Sequence, residues 1–253
     1  VTGVQTCALP IYDVLSIPKD ENNIAYKAIE LFMQKTNSQP HTFKVHLEKN
    51  IPSEAGLAGG STNAAGTFFA LNEIFGHLFD ETKLNELCAK LGSDLNFCLN
   101  GGCALCEGRG EIITPLSPIN LDISLIKPKT FGISAKEAYM KFASLSQKPK
   151  AQNTDRLVKL INEDKFDPTL MINHLELAVI DDYPILRKIK KQTDAMMSGS
   201  GPTMFTLNPV VDKTFGENIL VIENLKTIPN GIDIEIVPAA VDYQGDILLL
   251  GQP

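Results

Sequence analysis

The 253-residue sequence has no apolar run near the roughly 18 to 20 residues that cross a bilayer, and it lacks the charged start and apolar core of a secretion signal. It also lacks an excess of positive charge. The formal net charge is −7, whereas non-specific binding to nucleic acid or anionic membrane requires basic patches. We therefore expect a cytoplasmic protein with no nucleic-acid partner and no membrane partner. The sequence leaves the oligomeric state open.

Cysteine and histidine form no pattern typical of a disulfide framework or a metal site. The five cysteines are odd in number and irregularly spaced, which suits a reducing compartment. Cys103 and Cys106 form a C-x-x-C pair, but there is no second pair, and in a strand their thiols point to opposite faces. The four histidines also lack metal-ligand spacing. Metal ligands therefore stay unassigned.

Hydrophobic periodicity predicts helices and strands that alternate along an ordinary globular composition with 43% apolar residues. Strands that first pair with helices and then return favour the α+β class over a doubly wound sheet. Two prolines within residues 115–118 interrupt regular structure, so we expect a domain boundary there. The predicted helices include 22–34, 64–75, 81–91, 135–142, 155–162, 168–177 and 184–191, and the predicted strands include 41–47, 95–107, 121–126, 204–207, 219–225 and 232–237.

The glycine-rich segment between the strand at 41–47 and the next helix has the composition of a phosphate-binding turn. Gly56, Gly59 and Gly60 remove side chains where phosphates approach backbone N–H groups. Ser61 and Thr62 add hydroxyl donors beside the positive end of the helix dipole. No lysine follows the glycines as in a Walker loop, and the spacing is not that of the dinucleotide fingerprint. The alternative is a glycine-rich turn that merely begins a helix.

Residues 52–63, Pro-Ser-Glu-Ala-Gly-Leu-Ala-Gly-Gly-Ser-Thr-Asn, resemble the ATP-binding signature of the GHMP small-molecule kinases, a family that includes galactose, homoserine, mevalonate and phosphomevalonate kinases. Three further blocks resemble the 4-diphosphocytidyl-2-C-methyl-D-erythritol kinase branch: residues 91–111 with Gly-Ser-Asp and Gly-Arg-Gly-Glu, residues 126–139, and residues 197–203. The likeness runs from about residue 18 to the strand after Thr203. It implies ATP-dependent phosphorylation of the 2-hydroxyl of 4-diphosphocytidyl-2-C-methyl-D-erythritol in non-mevalonate isoprenoid synthesis, with ATP as co-substrate and Mg²⁺.

The resemblance also implies roles for individual residues. Asp94 is the implied catalytic base, with a helix cap or salt bridge as the alternative. Tyr139 matches an aromatic position against which cytosine can stack, and a core tyrosine is equally consistent. Ala58 replaces a glycine, and its small methyl group predicts little loss. The implied ATP-binding residues are Pro52, Ser53, Glu54, Ala55, Gly56, Leu57, Ala58, Gly59, Gly60, Ser61, Thr62, Asn63, Lys49 and Asn23, and the implied support of the phosphate pocket is Ser198, Gly199, Ser200 and Gly201.

Alternatives remain for three of these residues: a cap for Asn63, a surface charge for Lys49 and a helix start for Asn23. The implied fold is a GHMP kinase fold, in which a half similar to ribosomal protein S5 domain 2 (13–117) precedes a ferredoxin-like half (118–253). Residues 1–12 are expected to be foreign or disordered, because residues 1–11 have no counterpart in the family and resemble a translated adapter.

The family's opening Lys-x-Asn and Gly-Tyr-His segments do not precede the glycine-rich turn, so low activity of this chain is expected. Two alternatives stay open. One is another GHMP kinase, and the other is a catalytically inactive nucleotide-binding fragment.

Overall fold

The computed structural model describes residues 17–18, 20–36, 41, 43–47, 49–147, 154–210, 214–227 and 247–251. Short single turns of 3-10 helix precede and follow the seventh α-helix. In chain order the elements are α1 (Ile24–Thr36), β1 (Phe43–Leu47), α2 (Gly59–Ile74), α3 (Glu81–Leu91), α4 (Leu95–Asn100), β2 (Ala104–Glu107), β3 (Ile112–Pro115), β4 (Asp122–Pro128), α5 (Ala135–Ser144), α6 (Thr154–Asn162), α7 (His174–Val179), α8 (Pro184–Thr193), β5 (Met196–Met197), β6 (Met204–Thr206), β7 (Ile219–Lys226) and β8 (Ile247–Gly251).

The chain divides into two compact units, and the main change between them falls after Thr114. The first unit holds α1 to β3 and β8. The second holds β4 to β7, the helices between them and the short segment Glu54–Leu57. The predicted boundary, between residues 117 and 118, lies three residues after the observed change at Thr114. The predicted C-terminal half also includes β8, whereas in the structure β8 belongs to the first unit.

The core of the first unit lies between helices α1, α2 and α3 and strand β1. Phe32 of α1 and Phe68 and Leu71 of α2 are fully buried in it. In strand β1, Phe43, Val45 and Leu47 are buried, two residues apart as expected for one face of a strand. It pairs in parallel with β8, and β2 and β3 form a separate two-stranded sheet.

The second unit contains a four-stranded antiparallel sheet in the order β5–β6–β4–β7. Strand β4 is central, and helices α5 to α8 connect it to the β5–β6 hairpin. This split arrangement is the one expected of a ferredoxin-like half. Ile126 of β4, Leu186 and Ile189 of α8, and Met204 of β6 are fully buried in its core. The predicted α+β class is thus confirmed.

Three local predictions were wrong. The predicted helix 168–177 is interrupted: a 3-10 turn covers Pro168–Leu170, residues 171–173 are not helical, and α7 begins at His174. Helix α2 begins at Gly59 and not at Ala64, so Gly59 and Gly60 belong to its first turn. Residues 95–100, predicted as strand, form helix α4, because Leu95 is buried and Asn96 bonds back to α3 through Nδ2 and Asn85 O, 2.9 Å apart. The predicted strand at 232–237 and residues 1–12 lie outside the described residues. No helix in the described ranges has the length and apolar character needed to span a membrane.

Candidate functional site

Helix α2 begins after a residue of left-handed conformation, and its first backbone N–H groups have no partner within the helix. Its N-cap, Ala58, has φ 52° and ψ 20° and supplies no side-chain hydrogen bond. The first helical bond runs from Thr62 N to Ala58 O, so the N–H groups of Gly59, Gly60 and Ser61 have no intrahelical acceptor. The first turn contains no acidic residue. This end of the helix is therefore positively polarised and suited to an anion.

Lys49 adds a full positive charge beside the same turn. Its Nζ donates to Asn63 Oδ1 at 2.8 Å and lies 3.2 Å from the position that a Cβ on Gly59 would occupy. Burial lowers the pKa of Lys49, and within the described residues no carboxylate offsets its charge. A cation at a helix N-terminus is repelled by the helix dipole. The pair formed by Lys49 and the α2 N-terminus therefore indicates a site for a negatively charged ligand.

The three glycines of the turn have different surroundings. A Cβ on Gly59 would lie 2.9 Å from Ile51 Cγ2, and one on Gly56 would lie 2.7 Å from Gly201 N. Within the part of the chain that the structure describes, a Cβ on Gly60 would have no heavy atom within 4 Å. Two of the glycines therefore make room for protein atoms, and Gly60 faces open space in front of the helix, where an anion can approach the backbone.

The left-handed backbone at Ala58 alters the expectation that alanine costs little there. The methyl group has space, since Ala58 is exposed. A residue with a Cβ is nevertheless strained by roughly 1–2 kcal/mol in the left-handed conformation. The cost therefore comes from the backbone torsion and not from crowding.

We expect Ala58→Gly to raise the free energy of unfolding by about 0.5–1 kcal/mol, because relief of strain exceeds the entropy that glycine adds to the unfolded chain. Urea denaturation measures this change. Ala70→Gly, in the middle of α2, is the matched control and should destabilise by about 1 kcal/mol. Equal destabilisation by both substitutions would contradict the left-handed assignment.

Asp94 is the N-cap residue of α4, and its side chain makes no capping hydrogen bond and is exposed. One turn further along α4, Cys98 Sγ accepts a hydrogen bond from Thr62 Oγ1 at 3.6 Å. Side chains four residues apart share a helix face, so Asp94 lies on the side of α4 that meets the first turn of α2. Burial raises the pKa of the Cys98 thiol, and the nearby Asp94 charge raises it further.

Among the other predicted ATP-binding residues of the first unit, some side chains form hydrogen bonds within the protein and others are partly or fully exposed. The Asn23 side chain is almost fully buried, with Oδ1 accepting from Ala25 N at 2.9 Å and Nδ2 donating to Pro18 O at 2.7 Å. It therefore supports the start of α1, which was the alternative to an adenine contact. Ala58 O, 3.2 Å from Thr62 Oγ1, is a second possible acceptor for the single hydrogen of this hydroxyl. Pro52 is exposed, and Ser53 and Ser61 are half-buried.

In the second unit, Glu54–Leu57 packs against the turn of residues 198–203. Thr203 N donates to Ala55 O at 3.3 Å, and Ser198 Oγ donates to Gly56 O at 2.9 Å. Gly56 and Gly201 have φ values of 73° and 80°. The absence of side chains at these glycines lets the two backbones touch, so this half of the glycine-rich segment is joined to the second glycine turn.

Two residues that the sequence reasoning missed hold the second glycine turn in place. Asn173 Nδ2 donates to Met197 O at 2.7 Å and to Gly199 O at 2.8 Å. Glu176 is buried, accepts from Met197 N at 2.6 Å and pairs with Lys190 Nζ at 2.6 Å. The Asn-x-x-Glu spacing resembles a capping box, and this signal could have drawn attention to both residues.

Tyr139 lies on α5 in the second unit with 62% of its surface exposed, so it is not a core residue. It lines an open groove of about 550 Å³. Phe142, Ile172, His174 and Gly199 also line this groove, and the Phe142 and His174 rings are parallel at 6.3 Å between centroids. An exposed aromatic ring over a groove of this size suits a flat ligand.

The glycine-rich N-terminus of α2 lies within a segment that matches a family of small-molecule kinases. Residues 23–103 match the family model described as "GHMP kinases N terminal domain". Among solved structures, homoserine kinase from Cytophaga hutchinsonii is similar with a TM-score of 0.69 and 18% identity, over 90% of this chain and 82% of that one. A crystal structure of 4-(cytidine 5'-diphospho)-2C-methyl-D-erythritol kinase has a TM-score of 0.59 and 24% identity, over 81% and 73%.

The sequence likeness is more specific than the structural one. The 4-diphosphocytidyl-2-C-methyl-D-erythritol kinase of Clostridium perfringens is 40% identical over 197 residues, which cover 75% of this chain and 68% of that protein. The enzyme of that name from Clostridium botulinum is 40% identical over 197 residues, covering 75% and 70%. The chain therefore belongs to the 4-diphosphocytidyl-2-C-methyl-D-erythritol kinase family of GHMP kinases.

Proposed function

We propose that this chain transfers the γ-phosphoryl group of ATP to the 2-hydroxyl of 4-diphosphocytidyl-2-C-methyl-D-erythritol, a step in non-mevalonate isoprenoid synthesis. The observation that carries the proposal is the α2 N-terminus, where three N–H groups without an intrahelical acceptor lie beside the Lys49 ammonium and the first turn holds no acidic residue. The 40% identity to enzymes of that name supports the choice of acceptor.

Phosphoryl transfer requires mainly positioning and stabilisation of charge. We assign the phosphates to the N–H groups of Gly59, Gly60 and Ser61, with Gly60 leaving the space for their approach. Lys49 neutralises phosphate charge from beside the turn. Both contributions act in a partly desolvated position, where electrostatic attraction exceeds that in bulk water.

Asp94 is assigned as the group that accepts or orients the proton of the acceptor hydroxyl. Its carboxylate is exposed and makes no capping bond, so it is available to a substrate. Its helix approaches the first turn of α2 through Cys98 and Thr62. A carboxylate in this position can hold the hydroxyl in line with the γ-phosphate.

We assign the groove beside Tyr139 in the second unit to the cytosine ring. Stacking on an exposed aromatic ring contributes about 1–3 kcal/mol per base in nucleic-acid sites. Mg²⁺ is proposed to enter bound to the ATP phosphates, because it prefers oxygen ligands and keeps several waters. A cytoplasmic location and the absence of a nucleic-acid partner stay predictions from composition.

A coupled assay of ADP release tests the proposed substrate against the alternatives. We expect low but measurable turnover with 4-diphosphocytidyl-2-C-methyl-D-erythritol, since the family's opening segments do not precede the glycine-rich turn, and none above background with homoserine or mevalonate. Turnover with homoserine or mevalonate alone would favour another GHMP kinase. ATP binding without turnover on any acceptor would favour the nucleotide-binding fragment.

Lys49→Met should weaken ATP binding by about 10- to 100-fold, since a charge-assisted contact is worth about 1.5–3 kcal/mol. The same substitution should leave thermal stability equal or higher, because it removes a partly buried cation from a helix N-terminus. Isothermal titration with MgATP and a thermal melt measure the two effects.

Lys27→Met is the control for Lys49→Met, since Lys27 is an exposed lysine of α1 in the same unit. It should change neither ATP affinity nor stability. Unchanged ATP affinity in Lys49→Met would remove Lys49 from the proposed site.

A further inference from the structure

The Gly-Arg-Gly-Glu block has no role in the proposed chemistry, yet it forms a tightly bonded turn, residues 108–111, between β2 and β3. We call it the GRGE turn. Gly110 N donates to Glu107 O at 3.0 Å. The Glu111 carboxylate accepts from Arg109 N at 2.6 Å and lies 3.7 Å from Arg109 Nε. These bonds fix the shape of the turn from within.

The GRGE turn contacts the segment that presents Asp94 at two points. A Cβ on Gly110 would lie 3.0 Å from Ser93 O and 3.5 Å from Ser93 Cβ, so the turn sits directly on the residue before Asp94. Arg109 Nη2 donates at 3.1 Å to Ala89 O, in the last turn of α3, and the segment that carries Asp94 follows α3 directly.

The other side of Asp94 is already fixed. Leu95 and Asn96, the two residues that follow it, are buried, and the Asn96 amide bonds to Asn85 O. Gly92 packs against Leu95, because a Cβ there would lie 2.9 Å from Leu95 Cδ1. The backbone of Ser93 is thus held between Gly110 and the start of α4, and the exposed Asp94 side chain is left pointing outward.

We propose that the GRGE turn is a positioning element for Asp94, with Gly110 and Arg109 setting the backbone from which the carboxylate reaches the acceptor hydroxyl. The proposal rests on the proposed function of Asp94. No group of the turn touches the reacting atoms in this account. A displacement of about 1 Å in a catalytic group can lower the rate about 100-fold, so a rigid support has a measurable effect.

The test substitutes Gly110→Ala and compares it with Gly216→Ala. Gly216 has φ 103°, close to the 116° of Gly110, but a Cβ on it would meet no atom of the described residues within 4 Å. The control therefore carries a similar torsional strain without the contact to Ser93. Gly110→Ala should lower kcat for the cytidine substrate by about 10- to 100-fold and leave ATP affinity unchanged. Gly216→Ala should keep the parent kcat.

Hydrogen–deuterium exchange gives a readout that needs no turnover. Amides 93–98 should exchange at least about tenfold faster in Gly110→Ala than in the parent, and at the parent rate in Gly216→Ala. Parent-like exchange in Gly110→Ala, or a kcat equal to that of Gly216→Ala, overturns the proposal. A parent without turnover would overturn the proposed function alone, because the exchange comparison still decides whether the turn holds Asp94.

Arg109→Gln covers the case in which Gly110→Ala does not fold, since it removes the guanidinium bond to Ala89 O without backbone strain. It should lower kcat with ATP affinity and substrate KM unchanged, and it should speed exchange at amides 93–98. A raised KM or weaker ATP binding with a parent kcat would mean that Arg109 contacts a ligand directly. That result contradicts a positioning role.

Discussion

Asp94→Asn is expected to lower kcat by roughly 10²- to 10⁴-fold, the range typical of a lost general acid or base. The amide has nearly the same shape as the carboxylate but accepts no proton at neutral pH. Because Asp94 makes no capping bond and is exposed, its replacement should leave folding intact. The change should therefore appear in turnover with 4-diphosphocytidyl-2-C-methyl-D-erythritol and not in the melting temperature.

ATP affinity separates this role from a contact with the nucleotide. We expect Asp94→Asn to bind MgATP as the parent does in calorimetry, because the carboxylate is assigned to the acceptor. Asp122→Asn, an exposed aspartate of β4, is the matched control and should behave as the parent in both measurements. A parent-like kcat in Asp94→Asn would end the assignment of Asp94 as the base.

Gly56→Ala is expected to lower the free energy of unfolding by about 2–4 kcal/mol. Its new Cβ would overlap Ser198 O and lie 2.7 Å from Gly201 N and 2.9 Å from Gly201 O. All three are backbone atoms that cannot swing away, and overpacking of this kind costs about 1–3 kcal/mol. The left-handed backbone, with φ 73°, adds about 1 kcal/mol for alanine.

Gly76→Ala isolates the second of these contributions. Gly76 has φ 69°, but a Cβ on it would meet nothing within 4 Å. Urea denaturation should give a loss of about 1 kcal/mol for this control, and the excess in Gly56→Ala measures the contact between the two glycine turns. Equal losses in both variants would show that the turns do not touch.

Local sequence signals determined much of the secondary structure. Helix α3 runs from Glu81 to Leu91 as predicted, because Asp80 caps it by accepting from Lys83 N and Gly92 follows its last residue. Helix α4 was mistaken for strand because a short apolar run is compatible with both structures. Burial of Leu95 and the hydrogen bond from Asn96 to Asn85 favour the helix, and both depend on packing against α3.

Residue type and spacing located the glycine-rich segment and the second glycine turn, because they are enough to mark a helix start or a tight turn. Asp94 was singled out by the resemblance of its Gly-Ser-Asp block to the kinase family. The sequence by itself could not tell what each glycine makes room for. Gly56 and Gly60 are chemically identical, yet one meets the backbone of residues 198–201 and the other faces open space. Contacts between residues more than 140 positions apart decide that difference, and only the folded chain supplies them. The same holds for the pairing of β1 with β8 and for the contact of Gly110 with Ser93, which arise from packing that no local pattern encodes.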